Sequence, residues 1–130
     1  MRKMSKIVLD ASALLALINQ ESGHEQVEKS LPHAIMSAVN VSEVMAVLIN
    51  LGIPDNEAER IVYDLIEDAE PFNREQALIA AFFRKHTRQY GLSLGDRACL
   101  SLAKAKNLPV MSADKVWNKV NVGVTIQIIR

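Results

Sequence analysis

Short apolar runs alternate along this chain with stretches in which apolar residues recur every three or four positions. Ile7-Val8-Leu9 is a buried-strand signal that stops at Asp10, and the alanine- and leucine-rich segment Ala11 to Ile18 predicts a helix. After Gly23, His24 to Ser30 resumes helical composition until Pro32 stops it. Ala34 to Ala38 reads as a second buried strand. Val41, Val44, Met45, Leu48 and Leu51 then fall at helical spacing up to Gly52, with Asn40 expected as the cap and Glu43 reaching back to it. Pro54-Asp55 opens a helix in which Ala58, Ile61, Val62, Leu65 and Ile66 form one stripe, while Asp55, Glu57, Glu59, Asp64, Glu67 and Asp68 fall mostly on the other face. Glu70-Pro71-Phe72 predicts a brief edge strand, and Arg74 to Tyr90 a long helix ended by Gly91. A helix over Asp96 to Lys106, a strand over Pro109 to Ser112, a short helical turn from Asp114 to Lys119 and a strand over Val124 to Ile129 complete the series.

Strands alternating with helices imply parallel pairing, helical crossovers and helices on both faces of the sheet. The expectation is one α/β domain over residues 1–130 with about five short strands. At 130 residues the chain is long enough to bury a core without disulfides or a structural metal. Hydrophobic residues make up 49% and charged residues 23%, which excludes the disordered and collagen-like classes. Cys99 is the single cysteine, so no intrachain disulfide forms and a reducing cytoplasm is the expected compartment. The basic start, Met1-Arg2-Lys3-Met4-Ser5-Lys6, precedes an apolar stretch broken at Asp10, so neither a secretion signal nor a membrane anchor is expected. Fifteen basic residues balance fifteen acidic ones. A broad basic face for nucleic acid is therefore not expected, and polyanion contact falls to local candidates: Arg84, Lys85, Arg88, Arg97, Lys104 and Lys106.

The chemistry lies in four acids, Asp10, Glu43, Asp96 and Asp114, each placed where an apolar or strand-like run hands over to a helical pattern. In a parallel sheet the carboxyl ends of the strands share one edge, and ligands bind in the crevice outside it. Each acid taken alone is also a helix cap: Asp10 and Asp114 at a first position, Glu43 and Asp96 in capping boxes with Asn40 and Ser93. Capping does not demand convergence on one edge, and capping and metal ligation are compatible. Converging carboxylates keep protons or share a divalent cation, and an all-oxygen set suits Mg²⁺ or Mn²⁺. His24, His33 and His86 lack zinc-like spacing, Cys99 has no paired histidine, and Trp117 reads as a packing anchor.

Three stretches resemble the PIN-domain ribonucleases, in particular the VapC-type toxins of toxin–antitoxin pairs. They are Ile7-Val8-Leu9-Asp10-Ala11-Ser12-Ala13-Leu14-Leu15-Ala16, then Ser42-Glu43-Val44, then Leu92-Ser93-Leu94-Gly95-Asp96-Arg97-Ala98-Cys99-Leu100 running on to Leu108-Pro109-Val110-Met111-Ser112-Ala113-Asp114. The resemblance covers essentially the whole chain. It implies a PIN-like three-layer α/β/α domain and a Mg²⁺- or Mn²⁺-dependent endoribonuclease whose acidic site is Asp10, Glu43, Asp96 and Asp114. By the same resemblance, Asp10 and Asp96 are principal metal ligands, Asp114 is a ligand directly or through water, and Glu43 is a ligand or the general base. Ser12 matches a small hydroxyl residue that orients a water or phosphate, and Ser112 stands where many members carry Thr. An RNA substrate, a cognate antitoxin, a homodimer and cleavage to a 5′-phosphate and a 3′-hydroxyl are further implications.

Other classes fit less well. A haloacid-dehalogenase-type phosphatase needs a second Asp two places after the first, but position 12 is Ser. A phosphoacceptor receiver would carry its acid at a middle strand end, where this chain has Phe72-Asn73. A non-catalytic binding module of the same fold, or a stand-alone RNA-processing nuclease, are the remaining alternatives.

Overall fold

The computed structural model describes residues 5–130, so the basic start at residues 1–4 lies outside the described residues. The elements are β1 (Ile7–Leu9), α1 (Ala11–Ile18), α2 (His24–Ser30), β2 (Ala34–Ser37), α3 (Ala38–Asn50), α4 (Asp55–Leu65), β3 (Asp68–Glu70), α5 (Arg74–Thr87), α6 (Leu94–Lys106), β4 (Val110–Ser112) and β5 (Ile126–Ile128). Short 3₁₀ turns at Leu31–His33, Arg88–Tyr90 and Lys115–Lys119 fill the connections.

The five strands form one sheet in the order β3-β2-β1-β4-β5, and all four pairings are parallel. The chain moves from β1 outward to β3, then crosses back to place β4 on the other side of β1. This reversal puts the topological switch point between β1 and β4, where a parallel sheet opens a crevice beyond its carboxyl ends.

Alternation along the strands divides the core in two. Leu9, Met36 and Met111 face a cluster with Leu14, Leu17, Val27, Val44, Leu48 and Val62, under α1 to α4. Their neighbours Val8, Ile35 and Val110 face the other side, against Phe83, Cys99, Leu100, Leu102 and Trp117, under α5 and α6. One residue of offset thus sends adjacent side chains to opposite helical layers. The result is the three-layer α/β/α arrangement expected.

Several boundaries differ from expectation for identifiable reasons. β3 lies at Asp68–Glu70, ahead of Pro71, because it pairs Ile35 with Asp68, Met36 with Ala69 and Ser37 with Glu70, and proline has no N–H with which to extend the ladder. The helix before it ends at Leu65, so Glu67 and Asp68 lie beyond its polar face and Asp68 joins the sheet. α3 begins directly after β2, capped by Ser37, whose Oγ accepts from the Val39 N–H at 3.2 Å. Asn40 is therefore not the cap but a buried residue in the first turns of α3. α6 starts at Leu94, with the expected Ser93–Asp96 capping box intact. Gly91, at φ 72°, closes the turn after α5 in the left-handed region that glycine adopts without strain.

Arg97 also departs from the expected surface position. Its side chain is buried and its Nη1 donates to the Ala80 carbonyl of α5 at 3.0 Å, so it contributes to no surface patch. Lys104 and Lys106 lie at the far end of α6, about 12 to 15 Å along the helix from Asp96. Lys106 pairs with Glu70 at 2.9 Å.

Leu100 is fully buried within the α5/α6 layer, whereas Leu78 on α5 is largely exposed. Leu100→Ala should cost about 2 to 5 kcal/mol in urea unfolding, and Leu78→Ala within about 0.5 kcal/mol.

Candidate active site

Asp10 follows the last residue of β1 and is the N-cap of α1, its Oδ1 accepting from the Ala13 N–H at 2.8 Å. It is only 3% exposed. Ser12 Oγ lies 2.8 Å from both Asp10 carboxylate oxygens, and Ser112 Oγ, at the end of β4, donates to Oδ2 at 2.6 Å. Each hydroxyl also accepts from the chain beyond β4: Ser12 Oγ from the Ala113 N–H at 2.9 Å, and Ser112 Oγ from the Asp114 N–H at 3.1 Å. Both hydroxyl protons are therefore directed at Asp10, and the network stitches β1 to β4 across the switch point.

Burial raises the Asp10 carboxyl from its ordinary 3.8 to about 6, against the lowering pull of the Ser112, Ala13 and Ser12 hydrogen bonds, and the nearby charge of Asp96 raises it further. A carboxylate that accepts three such bonds would ordinarily sit low, so desolvation wins here.

Asp96 stands in the first turn of α6, where its Oδ2 accepts from the Ser93 N–H at 2.9 Å. Glu43, on α3, lies against the same turn. Its Oε1 accepts from Asn40 Nδ2 at 2.8 Å, and Asn40 Nδ2 also donates to the Gly95 carbonyl at 3.0 Å. Cys99, one turn after Asp96, reports on this convergence: burial pushes its thiol well up, and the charges of Asp10, Asp96 and Glu43 add to the effect. The thiol is accordingly a small buried hydrophobe and not a nucleophile.

Asp114 is the most exposed of the four acids, and its Oδ1 caps the 3₁₀ turn through the Val116 N–H at 3.1 Å. Its main chain joins the Asp10 network while its carboxylate faces outward. The charges of Asp10, Asp96 and Glu43 thus all reach Cys99, and that of Asp96 reaches Asp10, with Asp114 at the rim. Trp117 is buried beside it, as expected of a packing anchor.

Among the described residues, no Lys or Arg forms a salt bridge with any of these carboxylates. Nor are three acid, histidine or cysteine side chains gathered around one point, so a cation would have to draw them together. The Asp96 and Asp114 carboxylates are each held by a single cap bond. As hard oxygen donors lacking a basic partner among the described residues, they fit Mg²⁺ or Mn²⁺ in type. A cleft of about 500 Å³ lined by Lys6, His33, Ala34 and Asp68 lies at the opposite edge of the sheet and contains none of these acids.

The spacing pairs Glu43 with Asn40 as a capping box; the structure keeps the pair but joins it through the Asn40 side-chain amide, with Ser37 as the cap. Gly95, against which the Glu43 carboxylate lies, has no such signal in the sequence.

A five-stranded parallel sheet with acids beyond β1 and β4 defines an α/β domain with an acidic edge at its switch point. The chain belongs to the PIN-domain family: the sequence model described as "PIN domain" matches residues 7–123. Ribonuclease VapC42 of Mycobacterium tuberculosis is 31% identical over 117 residues, with 81% of this chain and 88% of that one covered. VapC ribonuclease Mb2780c of Mycobacterium bovis matches to the same extent. Among solved structures, DNA-bound VapBC from Salmonella typhimurium superposes with a TM-score of 0.75 at 14% identity, covering 98% of this chain and 100% of that one. FitAcB from Neisseria gonorrhoeae does so at 0.69 and 19% identity, covering 92% and 95%. Identities this low bear on the fold alone.

The raised Asp10 carboxyl has a definite consequence for stability. Between about pH 4 and pH 6 the native state keeps a proton that the unfolded chain has released, so the metal-free fold loses stability as pH rises through that window. Above it the penalty is constant, at up to about 3 kcal/mol. Asp10→Asn in EDTA should therefore be more stable than wild type at pH 7.5, with the difference shrinking toward pH 4.5. Urea unfolding at the two pH values checks this.

Proposed function

We propose that this chain is a Mg²⁺- or Mn²⁺-dependent endoribonuclease and the toxin of a toxin–antitoxin pair. The carrying observation is the buried Asp10 carboxyl at the switch point, held by Ser12 and Ser112, with the charge of Asp96 acting on it and Glu43 lying against the turn that carries Asp96. Membership of the PIN-domain family and relatives named as VapC ribonucleases support the reading.

In this reading Asp10 and Asp96 are the principal ligands, Asp114 binds directly or through water, and Glu43 is a ligand or accepts the proton of the attacking water. A divalent ion held by these carboxylates would supply activation of that water and charge neutralisation at the phosphate and the leaving oxygen. Ser12 and Ser112 orient the Asp10 carboxylate, and through their accepted N–H groups they fix the start of the segment that carries Asp114. Hydrolysis leaves a 5′-phosphate and a 3′-hydroxyl. Exposed Arg84, Lys85 and Arg88 stand at the end of the α5/α6 hairpin that carries Asp96 and supply a local basic surface for the RNA backbone.

Several neighbours in fold are VapBC toxin–antitoxin complexes. By extension, a cognate antitoxin covers the acidic edge of this chain, with a Lys or Arg competing for the carboxylates. A homodimeric toxin acting in the cytoplasm completes the proposal. No helix among the described residues is long and apolar enough to cross a membrane.

Purified protein should cut structured RNA in Mg²⁺ or Mn²⁺ and stop in EDTA; equal cleavage with chelator present would remove the metal from the mechanism. Asp96→Asn should lose activity by orders of magnitude while stability changes by about 1 kcal/mol or less, since Asn retains much of the capping ability. RNA cleavage measured beside thermal unfolding separates ligand from cap. The antitoxin, sought as the product of the adjoining gene, should relieve the growth arrest caused by expressing this chain and should co-purify with it, and failure of both with an active nuclease would point to a stand-alone processing enzyme.

A further inference from the structure

We infer that Gly95 and Asn40 are positioning residues of the proposed nuclease site: Gly95 leaves the space in which the Glu43 carboxylate lies, and Asn40 fixes its orientation. The inference rests on the nuclease reading for its consequence and on geometry for its content.

A Cβ added to Gly95 would stand 2.2 Å from Glu43 Oε2, 2.5 Å from Cδ and 2.6 Å from Oε1. Every atom of the carboxylate group is therefore closer than any real side chain permits. Gly95 occupies the second position of α6 and its φ is not in the left-handed region, so the backbone does not require glycine. Glycine in a helix is costly compared with alanine. What it provides here is room.

Asn40 is 1% exposed and supplies the second constraint. Its Nδ2 faces two acceptors, Glu43 Oε1 and the Gly95 carbonyl. A flipped amide would set Oδ1 against both, so the orientation follows from the partners. The clamp is kept although it leaves Asn40 Oδ1 buried without a partner among the described residues. A purely structural tie between α3 and α6 would need only the bond to Gly95. The second bond, to Glu43, fixes a side chain that three rotatable bonds would otherwise let wander, and fixes it next to Asp96.

The test combines thermal unfolding in EDTA, Mn²⁺ titration calorimetry and RNA cleavage. Gly95→Ala should fold with an unchanged or raised midpoint, because only the flexible end of Glu43 must move. Its turnover and Mn²⁺ affinity should nonetheless fall about tenfold to a hundredfold, as for residues that orient metal ligands, with the KM for RNA within about twofold. Glu43→Gln added to Gly95→Ala should cost less than it does alone. Asn40→Asp, which keeps the size but presents acceptors, should be at least as damaging as Asn40→Ala.

Wild-type turnover and Mn²⁺ affinity in Gly95→Ala would overturn the inference, as would rescue by Asn40→Asp. Should the wild-type protein neither bind Mn²⁺ nor cleave RNA, the nuclease reading fails separately. The seat is then judged in EDTA from the unfolding midpoints of Asn40→Ala, Glu43→Ala and the double variant: a combined loss smaller than the sum sustains it, and strict additivity overturns it.

Discussion

Burial of the Asp10 carboxyl between β1 and β4 is the constraint that orders the whole acidic edge. A carboxylate taken out of water needs donors, and three converge on it: the Ala13 N–H at the start of α1 and the hydroxyls of Ser12 and Ser112. Those donors span the topological switch, so satisfying Asp10 also fixes how the ends of two neighbouring strands meet. The donors do not offset desolvation fully, since the group still titrates near pH 6. The metal-free fold therefore carries a destabilising group at its centre, a cost that a divalent cation would relieve.

The surrounding packing brings the other acids to the same edge of the sheet. Ala98 and Cys99 of α6 are fully buried, and the small Cys99 packs in the same cluster as Val8 of β1, one turn after Asp96. From the other layer, α3 contributes Glu43, whose carboxylate rests on Gly95 and meets the Asn40 amide. Asp114 is fixed through its backbone by Ser112, leaving its side chain at the rim. Acids from both helical layers thus approach the edge where the strand order reverses, between β1 and β4.

Much of this was legible in the sequence because it rests on strong local signals. Ile7-Val8-Leu9 followed by Asp10, the Ser93–Asp96 box and Val110-Met111-Ser112 before Asp114 carry strand, cap and acid in a few consecutive residues. Less local features were not legible. The register of β3 depends on pairing with β2, which placed the strand ahead of Pro71 and not across it. The cap of α3 moved from Asn40 to Ser37 because β2 passes into the helix without a loop, so that Asn40 is drawn inward to Glu43. Arg97 looked like a surface cation, but the turn that presents Asp96 points Arg97 under α5. The role of Gly95 is a matter of space between two helices, for which a single sequence has no signal.

The central claim, that the buried Asp10 carboxyl is where a divalent cation is held, is most directly tested by Mn²⁺ titration calorimetry in buffers of differing ionisation enthalpy. At pH 6 wild-type protein should release on the order of half a proton per Mn²⁺ bound, falling toward zero at pH 8, because the proton displaced belongs to a carboxyl near its midpoint at pH 6. Asp10→Asn should bind far more weakly and lose that pH-dependent release. Mn²⁺ binding with wild-type affinity and proton release in Asp10→Asn would contradict the account.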